Sequence, residues 1–349
     1  MRVNNMRAAI AAALVVSAAP LAAQGDIETV CNEFSGNSQA QSRCAAVAQA
    51  VDAAQPQLGI LLAGGNPTLG TASTGGVRLG LIPRFSVTAR VNVVAARLPD
   101  IREVQSSGGS VDVDEFRVPA PAVGANVSLG LTNGFSVAPM IGGFGAIDLL
   151  GGVTVLPLEL AGDDFGDNAF SWGAGARVGL MRESFITPGI SVSVMYRNLG
   201  EIQFGDVCEG SEVSVGGNRS TCAGEGDFGE INFGLTNLSG RAAISKRLLG
   251  LGLTAGVGYD KFNTDANFAF RSPVIAGTTE QIIRFEDVEV DNDRWSAFLD
   301  GSFTLLFGSI VGEIGWMQGA DPIGNFPSTS DFDPKEGTWY GSAGIRLSL

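Results

Sequence analysis

The sequence predicts an all-β fold: an antiparallel, up-and-down β-barrel of about 12 strands (about 10 to 14), preceded by a short N-terminal helical segment. From Val77 onward, apolar and polar residues alternate with a period of two in many runs separated by turn sequences, which is the spacing of side chains along a strand. Only 17% of the residues are charged and 49 are glycine, which suits a sheet with one face in an apolar medium. A large soluble β-sandwich is the alternative fold.

Residues 1–23 have the pattern of an export signal peptide. Arg2 and Arg7 precede an apolar run over residues 8–19, and small residues before Gln24 allow cleavage. The run is too short for a spanning helix, although a single-pass anchor is the competing interpretation. Cleavage would leave 20 basic and 36 acidic groups, and this acidic excess argues against a nucleic-acid partner.

A helical segment is predicted over residues 24–56. Helices are expected over 26–34 and 38–55, with Pro56 ending the second. The segment is either a periplasmic appendage or a plug inside the barrel. Its small, polar surface favours the plug.

The four cysteines form two pairs that are close in sequence, Cys31 with Cys44 and Cys208 with Cys222. Because an exported chain enters an oxidising compartment, two local disulfides are expected. Other connectivities stay open at this stage. With no histidine and no CxxC spacing, neither a metal site nor a cofactor is expected.

The run over residues 249–260 illustrates the predicted strands. Its odd positions carry Leu, Leu, Leu, Ala, Val and Tyr, whereas its even positions carry Gly, Gly, Thr, Gly, Gly and Asp. Runs over 123–131, 172–180, 190–197 and 295–305 repeat this pattern. In each strand we expect the apolar set to face outward and the small or polar set to face inward.

Two hairpins allow a check of the predicted pairing. One would place Ser245 opposite Gly250, and the other would place Leu305 opposite Ile310, each pair matched in polarity. Since a slip of one residue would exchange the two faces, the matches support the assignment of faces. Asn133-Gly134 is expected to form a further tight hairpin turn.

The strand number depends on residues 58–82. With a strand over 69–82, about eleven strands are clear, and an odd number cannot close antiparallel. An additional strand is therefore assigned to 58–64, turning at Gly65-Asn66-Pro67, and the barrel proper spans 57–349. If 58–64 belongs to a plug instead, ten strands are expected.

The last run, residues 338–349, is apolar on one face and polar on the other, and it resembles the closing strand of bacterial outer-membrane β-barrels. Leu349 stands where those proteins usually have an aromatic residue recognised by the outer-membrane assembly machinery. The resemblance implies a monomer in the outer membrane of a Gram-negative bacterium, in contact with the lipid bilayer and lipopolysaccharide. An interfacial aromatic girdle is then expected from Trp172, Tyr196, Tyr259, Trp295, Trp316 and Trp339.

The predicted connections alternate in length. Short turns, which face the periplasm in such barrels, are expected near Pro83, Asn133, Ser184, Arg247 and Phe307. The long connections are acidic, with Asp112, Asp114, Glu115, Asp163, Asp164, Asp167, Glu286, Asp287, Glu289, Asp291 and Asp293. These carboxylates either lie on solvent-exposed surfaces or could bind Ca²⁺ or Mg²⁺ ions that bridge lipopolysaccharide phosphates. No EF-hand spacing is present among them.

Charged residues at inward positions are the candidate functional set. The arginines are Arg78, Arg90, Arg177, Arg197, Arg241 and Arg346, and the acids are Asp148, Asp260, Asp300 and Glu313. A basic ladder could lower the barrier for anionic solutes. Alternatively, the arginines neutralise the acids in a filled interior, and the presence of both signs on one face favours this interpretation.

The absence of histidine excludes Ser-His-Asp and related catalytic sets, and we expect no enzyme. A paired-carboxylate mechanism at Asp300 and Glu313 stays formally open. The function predicted first is a channel or transporter for small solutes or hydrophobic compounds. The alternative is a non-conducting barrel that acts through its long extracellular loops.

Overall fold

The computed structural model describes residues 29, 31–32, 38–78, 82–101, 105–107, 110–136, 142–158, 168–208, 210–217, 219–222, 224, 226–272, 281–305, 308–322 and 331–348. The predicted signal peptide and most of the first predicted helix lie outside these residues. Asp163, Asp164 and Asp167 of the acidic loops lie outside them as well.

Ten strands form a closed antiparallel ring in the described part of the chain. They are β3 (Phe85–Pro99), β6 (Glu115–Gly130), β7 (Ala146–Leu156), β8 (Ala169–Met181), β9 (Gly189–Phe204), β12 (Gly229–Leu248), β13 (Leu251–Ser272), β14 (Gln281–Leu305), β15 (Gly308–Met317) and β16 (Thr338–Ser348). Each pairs with the next in this order, and β16 closes the ring on β3. The predicted up-and-down barrel is thus confirmed, with ten strands in the ring where about 12 were expected.

Three short ladders lie outside the ring: β1 (Val77–Arg78) with β2 (Ile82–Pro83), β4 (Gln105–Ser107) with β5 (Ser110–Asp112), and β10 (Glu212–Gly216) with β11 (Arg219–Cys222). The hairpin of β10 and β11 continues the sheet at one end of β14, where Ser220 pairs with Ile282.

The predicted faces hold, but the predicted registers do not. Ser245 pairs with Thr254 instead of Gly250, and Leu305 pairs with Gly308 instead of Ile310. Both errors are an even number of residues, and an even shift returns every side chain to the same face. Polarity matching therefore determined the faces without determining the partners.

The expected tight turn at Asn133-Gly134 is wrong. Strand β6 ends at Gly130 and β7 begins at Ala146, and between them Phe135 forms an isolated bridge with Phe144. The chain therefore does not reverse direction at Asn133-Gly134, because the two segments still pair at Phe135 and Phe144.

The outer face of the ring is an apolar belt. Side chains on all ten strands are exposed there, including Val91, Val127, Val153, Leu180, Val194, Ile244, Leu253, Leu299, Ile314 and Ile345. Trp172, Tyr196, Trp295, Trp316 and Trp339 are exposed on the same face, and Tyr259 is half-buried against the Trp295 ring at 5.0 Å. They lie at the end of the belt away from the short turns, as predicted. A continuous apolar band of this kind is stable only against hydrocarbon.

Helix α1 (Ser38–Ala63) fills the interior of the ring. It touches β3, β6 and β16 on one side and β12, β13 and β14 on the other, and 20 of its 26 residues are buried. A helix enclosed on every side needs no single apolar stripe, which explains why its sequence lacks one. Among the described residues, no helix is long and apolar enough to cross a bilayer.

The helix continues through Pro56, so the prediction that it ends there is wrong. Proline cannot donate to the carbonyl of Asp52 one turn earlier. Asn292 of β14 donates its side-chain amide to that carbonyl at 3.4 Å instead. The barrel wall thus replaces the hydrogen bond that proline removes.

Residues 58–63 of the segment predicted as a strand over 58–64 belong to the C-terminal end of α1. Gly64 ends the helix with a φ of 61° and donates its N–H to the Ile60 carbonyl at 2.7 Å, as a C-terminal glycine does. Residues 64–76 then continue inside the ring without strand structure, which also contradicts the predicted strand over 69–82. We call α1 together with residues 64–76 the plug.

Both predicted disulfides are present. Cys31 and Cys44 lie 5.5 Å apart between Cα atoms and are buried with the apolar contacts of α1. Cys208 and Cys222 lie 5.6 Å apart and tie β11 to the end of β9.

The hairpin of β10 and β11 should loosen in acid. Arg284 donates to the Glu212 carboxylate at 2.8 Å, and this contact holds the pKa of Glu212 below its usual value. Its stabilising contribution is therefore complete above the pKa of the unfolded chain, about 4.3, and is lost as the pH falls through the folded pKa. We expect protection of the hairpin amides from hydrogen exchange, corrected for intrinsic rates, to fall below about pH 4.3. A Glu212→Gln variant should lack this dependence, and unchanged protection of the natural chain down to acid pH would contradict the assignment.

Candidate functional site: the filled barrel interior

Three buried carboxylates of the wall hold the backbone of the plug. Glu313 accepts hydrogen bonds from the backbone N–H groups of Gly65 at 2.8 Å and Asn66 at 2.6 Å. Asp300 accepts from the Asn66 side-chain amide at 2.6 Å and from the Gly70 N–H at 2.9 Å. Asp148 accepts similarly from the Gly75 N–H at 3.0 Å. Residues 65–75 are thus tied to strands on different sides of the ring.

Arginines of the wall bind the plug carbonyls. Arg90 donates to the Asn66 carbonyl at 3.1 Å and lies 3.5 Å from Glu313. Arg241 donates to the Gly65 carbonyl at 2.8 Å and pairs with Asp260 at 2.9 Å. Arg346 donates to the Leu69 carbonyl at 2.7 Å. Donors and acceptors of the same short segment are therefore both satisfied by charged groups.

Two more of the predicted arginines lie in this network. Arg177 pairs with Asp148 at 2.5 Å and hydrogen-bonds the Thr68 hydroxyl. Arg197 donates to the Ser239 hydroxyl at 3.0 Å. Nine of the ten charged residues predicted to face inward are buried. The tenth, Arg78, belongs to β1, which is not a strand of the ring.

The arrangement matches the filled interior more closely than an open basic ladder. Buried charges are tolerated when each has a partner of opposite sign or good hydrogen bonds, and the plug supplies many of the latter. Asp300 and Glu313 are direct cross-strand partners, and their hydrogen bonds go chiefly to residues 65–70 of the plug. In the described residues, no group of three His, Cys, Asp or Glu side chains is placed to hold a metal ion.

On the girdle side of Asp260, the part of the interior between α1 and strands β3, β6, β9 and β12 is apolar. A cavity of about 60 Å³ lies there between α1 and the wall. Its lining includes Ala54, Leu61, Val94, Ala120, Phe204 and Phe233. Among the described lining residues, only Gln57 has a polar side chain. We call this cavity the apolar pocket.

The polar atoms of Gln57 are already engaged. Its amide donates to the carbonyls of Ala53 and Arg97 at 2.9 and 2.7 Å, and its oxygen accepts from the Arg97 N–H at 2.8 Å. The pocket therefore offers a ligand apolar contact and no free side-chain hydrogen-bonding group.

The apolar pocket lies beside the ends of β7 and β8. Strand β7 ends at Leu156 and β8 begins at Ala169, and the last β6–β7 pair at this end is Val123 with Val155. Within the described residues, 115–122 of β6 have their pairing partners on β3. Pro157 and Leu158, which follow β7, line the pocket.

The predictions from sequence missed the apolar pocket, although a signal exists in β13. Its inward positions are Gly, Thr or Asp up to Asp260, and beyond it Phe262, Phe268 and Phe270 are buried, with Thr264 and Ala266 between them. The large aromatic residues mark the level at which β13 packs against apolar side chains of the interior.

Polar contacts of α1 with β14 were also missed. Asp52 lies 3.5 Å from Arg294, and Gln55 donates to the Val290 carbonyl at 2.8 Å. Asp52 and Gln55 are spaced along the helix as polar residues on a solvent-exposed face also are, so the sequence did not indicate these contacts.

No protein-family model and no curated protein matches the sequence. Among solved structures, the outer membrane protease OmpT from Escherichia coli is 10% identical, with a TM-score of 0.33, over 76% of this chain and 96% of that chain. The translocator domain of autotransporter NalP from Neisseria meningitidis is 12% identical, with a TM-score of 0.36, over 77% and 89%. The Ralstonia pickettii toluene transporter TbuX is 11% identical, with a TM-score of 0.24, over 83% and 92%. TM-scores at this level carry no argument of their own.

The class of protein follows from the strands themselves. A closed antiparallel ring leaves no unpaired edge, which is the condition for crossing lipid with strands. Its outer face is apolar in a band bounded by aromatic residues. The chain is an outer-membrane β-barrel of the Gram-negative type, with its N-terminal plug inside.

Proposed function

We propose that this barrel binds small apolar compounds in the apolar pocket and carries them across the outer membrane. The observation that supports the proposal is the pocket itself. It is lined by apolar side chains, and its one polar lining side chain, Gln57, is fully hydrogen-bonded. A barrel that only held its plug in place would gain more from filling this space.

We infer that ligands reach the pocket from outside. It lies on the girdle side of the interior, beside the ends of β7 and β8. The polar part of the plug lies between it and the short turns. Passage toward the periplasm then requires residues 64–76 to release their hydrogen bonds, so the resting state is closed to ions.

Filling the pocket should abolish ligand binding. Ala120 lines the pocket from β6, and an Ala120→Phe change would occupy the space that a ligand needs. The measurement is ¹⁹F NMR of fluorobenzene with the full chain in detergent, where a protein-bound signal is distinct from the micellar one. We expect the bound signal in the natural chain and its loss in the variant.

The matched control is Ala125→Phe, on the outer face of the same strand, which should keep the bound signal. The proposal fails if the natural chain gives no bound signal, or if both variants retain it equally.

A second candidate is a non-conducting barrel that acts through its extracellular loops. The filled polar interior favours it, because residues 65–75 are held by Glu313, Asp300 and Asp148. It would be preferred if fluorobenzene does not bind to the natural chain.

A further inference from the structure

A second cavity lies at the short-turn end of the barrel, between the plug and the wall. Its volume is about 250 Å³. Four arginines line it, Arg84, Arg177, Arg247 and Arg346, and seven of its other lining residues are serine or threonine. None of the described acidic residues lines it, although the chain as a whole has a net charge of -14. We call this cavity the arginine pocket.

Three of these arginines have no carboxylate partner. Arg177 is paired with Asp148, but no ion pair joins Arg84, Arg247 or Arg346 to an acidic group in the described part of the chain. Arg346 is only 5% exposed, and its one hydrogen bond goes to the Leu69 carbonyl. A buried guanidinium with a single neutral acceptor leaves most of its five donors unused and is stabilised by an anion.

The nearest acids are already engaged. Asp148 accepts from Arg177 and from the Gly75 N–H. Glu183, near the rim, accepts a hydrogen bond from the backbone N–H of Arg247. Neither carboxylate lines the pocket. Asp300 and Glu183 act on Arg346 through space, so they offset the positive charge only in part.

The hydroxyls add donors of the right kind. Thr74 lines the pocket, and its buried hydroxyl has no hydrogen-bond partner in the described part of the chain. Ser86 and Ser128 hydrogen-bond each other at 2.7 Å on the opposite wall. Arginine guanidinium groups and hydroxyl groups commonly donate the hydrogen bonds that hold phosphate oxygens in proteins.

We propose that the arginine pocket is a binding site for a phosphate group, presented from the periplasmic side. Arg346 contacts it from the interior, and Arg84 and Arg247 contact it from the rim. The group belongs either to a free phosphate or to the headgroup of an anionic phospholipid of the inner leaflet. This site is independent of the apolar pocket and of the function proposed for it.

Titration calorimetry of the full chain in uncharged detergent, with inorganic phosphate as the probe, tests the site. Arg84 and Arg247 are exposed at the rim, so Arg84→Gln/Arg247→Gln should fold while losing two charged donors. We expect binding to weaken by at least about tenfold. The control is Arg117→Gln at the opposite end of the barrel, which should leave phosphate affinity unchanged.

A parallel arm identifies the source of the phosphate. The full chain is placed in nanodiscs of neutral lipid with or without phosphatidylglycerol, and binding of that lipid is measured by native mass spectrometry. Phosphate binding in detergent supports a free anion, and retention of phosphatidylglycerol that is lost in the double variant supports a headgroup. The proposal is overturned if neither ligand binds, or if the double variant and the Arg117→Gln control bind both ligands equally.

Discussion

Replacing Glu313 with alanine should lower the free energy of unfolding by about 3–5 kcal/mol. Glu313 and Arg90 are both buried, with side chains 0% and 2% exposed. The change would leave Arg90 without its carboxylate and the N–H groups of Gly65 and Asn66 without their acceptor. Urea unfolding of the refolded chain in detergent micelles, followed by tryptophan fluorescence, measures the difference.

The same variant should weaken the hold on the plug. We expect faster hydrogen exchange at the Gly65, Asn66 and Gly70 amides, and intermittent conductance in planar bilayers where the natural chain is silent. Glu289→Ala is the control, because Glu289 is exposed on β14 and should change the unfolding free energy by less than about 0.5 kcal/mol. Equal effects of the two substitutions would show that Glu313 does not anchor the plug.

Replacing Phe262 with alanine should cost about 3–5 kcal/mol for a different reason. Phe262 is 0% exposed, and a Cβ built on Gly59 would lie 2.0 Å from its ring. The ring therefore packs directly on the backbone of α1, and its removal leaves a cavity between helix and wall. Urea unfolding should show the loss, and amides near Gly59 should exchange faster.

The matched control for Phe262 is Phe303→Ala on the neighbouring strand β14. Phe303 is 48% exposed on the outer face, where detergent or lipid replaces the lost ring at little cost. If the two variants unfold at the same urea concentration, α1 is not packed against β13 as described.

Alternation along the chain was enough to predict the outer face. Leu253 and Ile314 are exposed to the membrane as expected, because every second residue of a lipid-facing strand must be apolar. The pairing of Ser245 was wrong because alternation reports only whether a position is odd or even. A long-range partner is not encoded in a period of two.

The plug was harder to predict. Leu58, Ile60 and Leu62 alternate with other residues as a strand would, yet all three belong to α1. Inside a ring every face of the helix is covered, so the usual helical spacing of apolar residues is not required. The candidate charges were predicted, but many of their partners are backbone groups of residues 65–75. Backbone groups are the same in every residue type, so the sequence did not indicate these contacts.

The positions in the sequence of the residues that hold the plug bear on how the protein assembles. The plug precedes the first strand of the ring, yet Asp300, Glu313 and Arg346, which hold it, lie on the last three strands. These contacts form only after nearly the entire polypeptide has been delivered. We therefore expect the plug to reach its final position only when β16 pairs with β3, so that seating of the plug and closure of the ring form one late step.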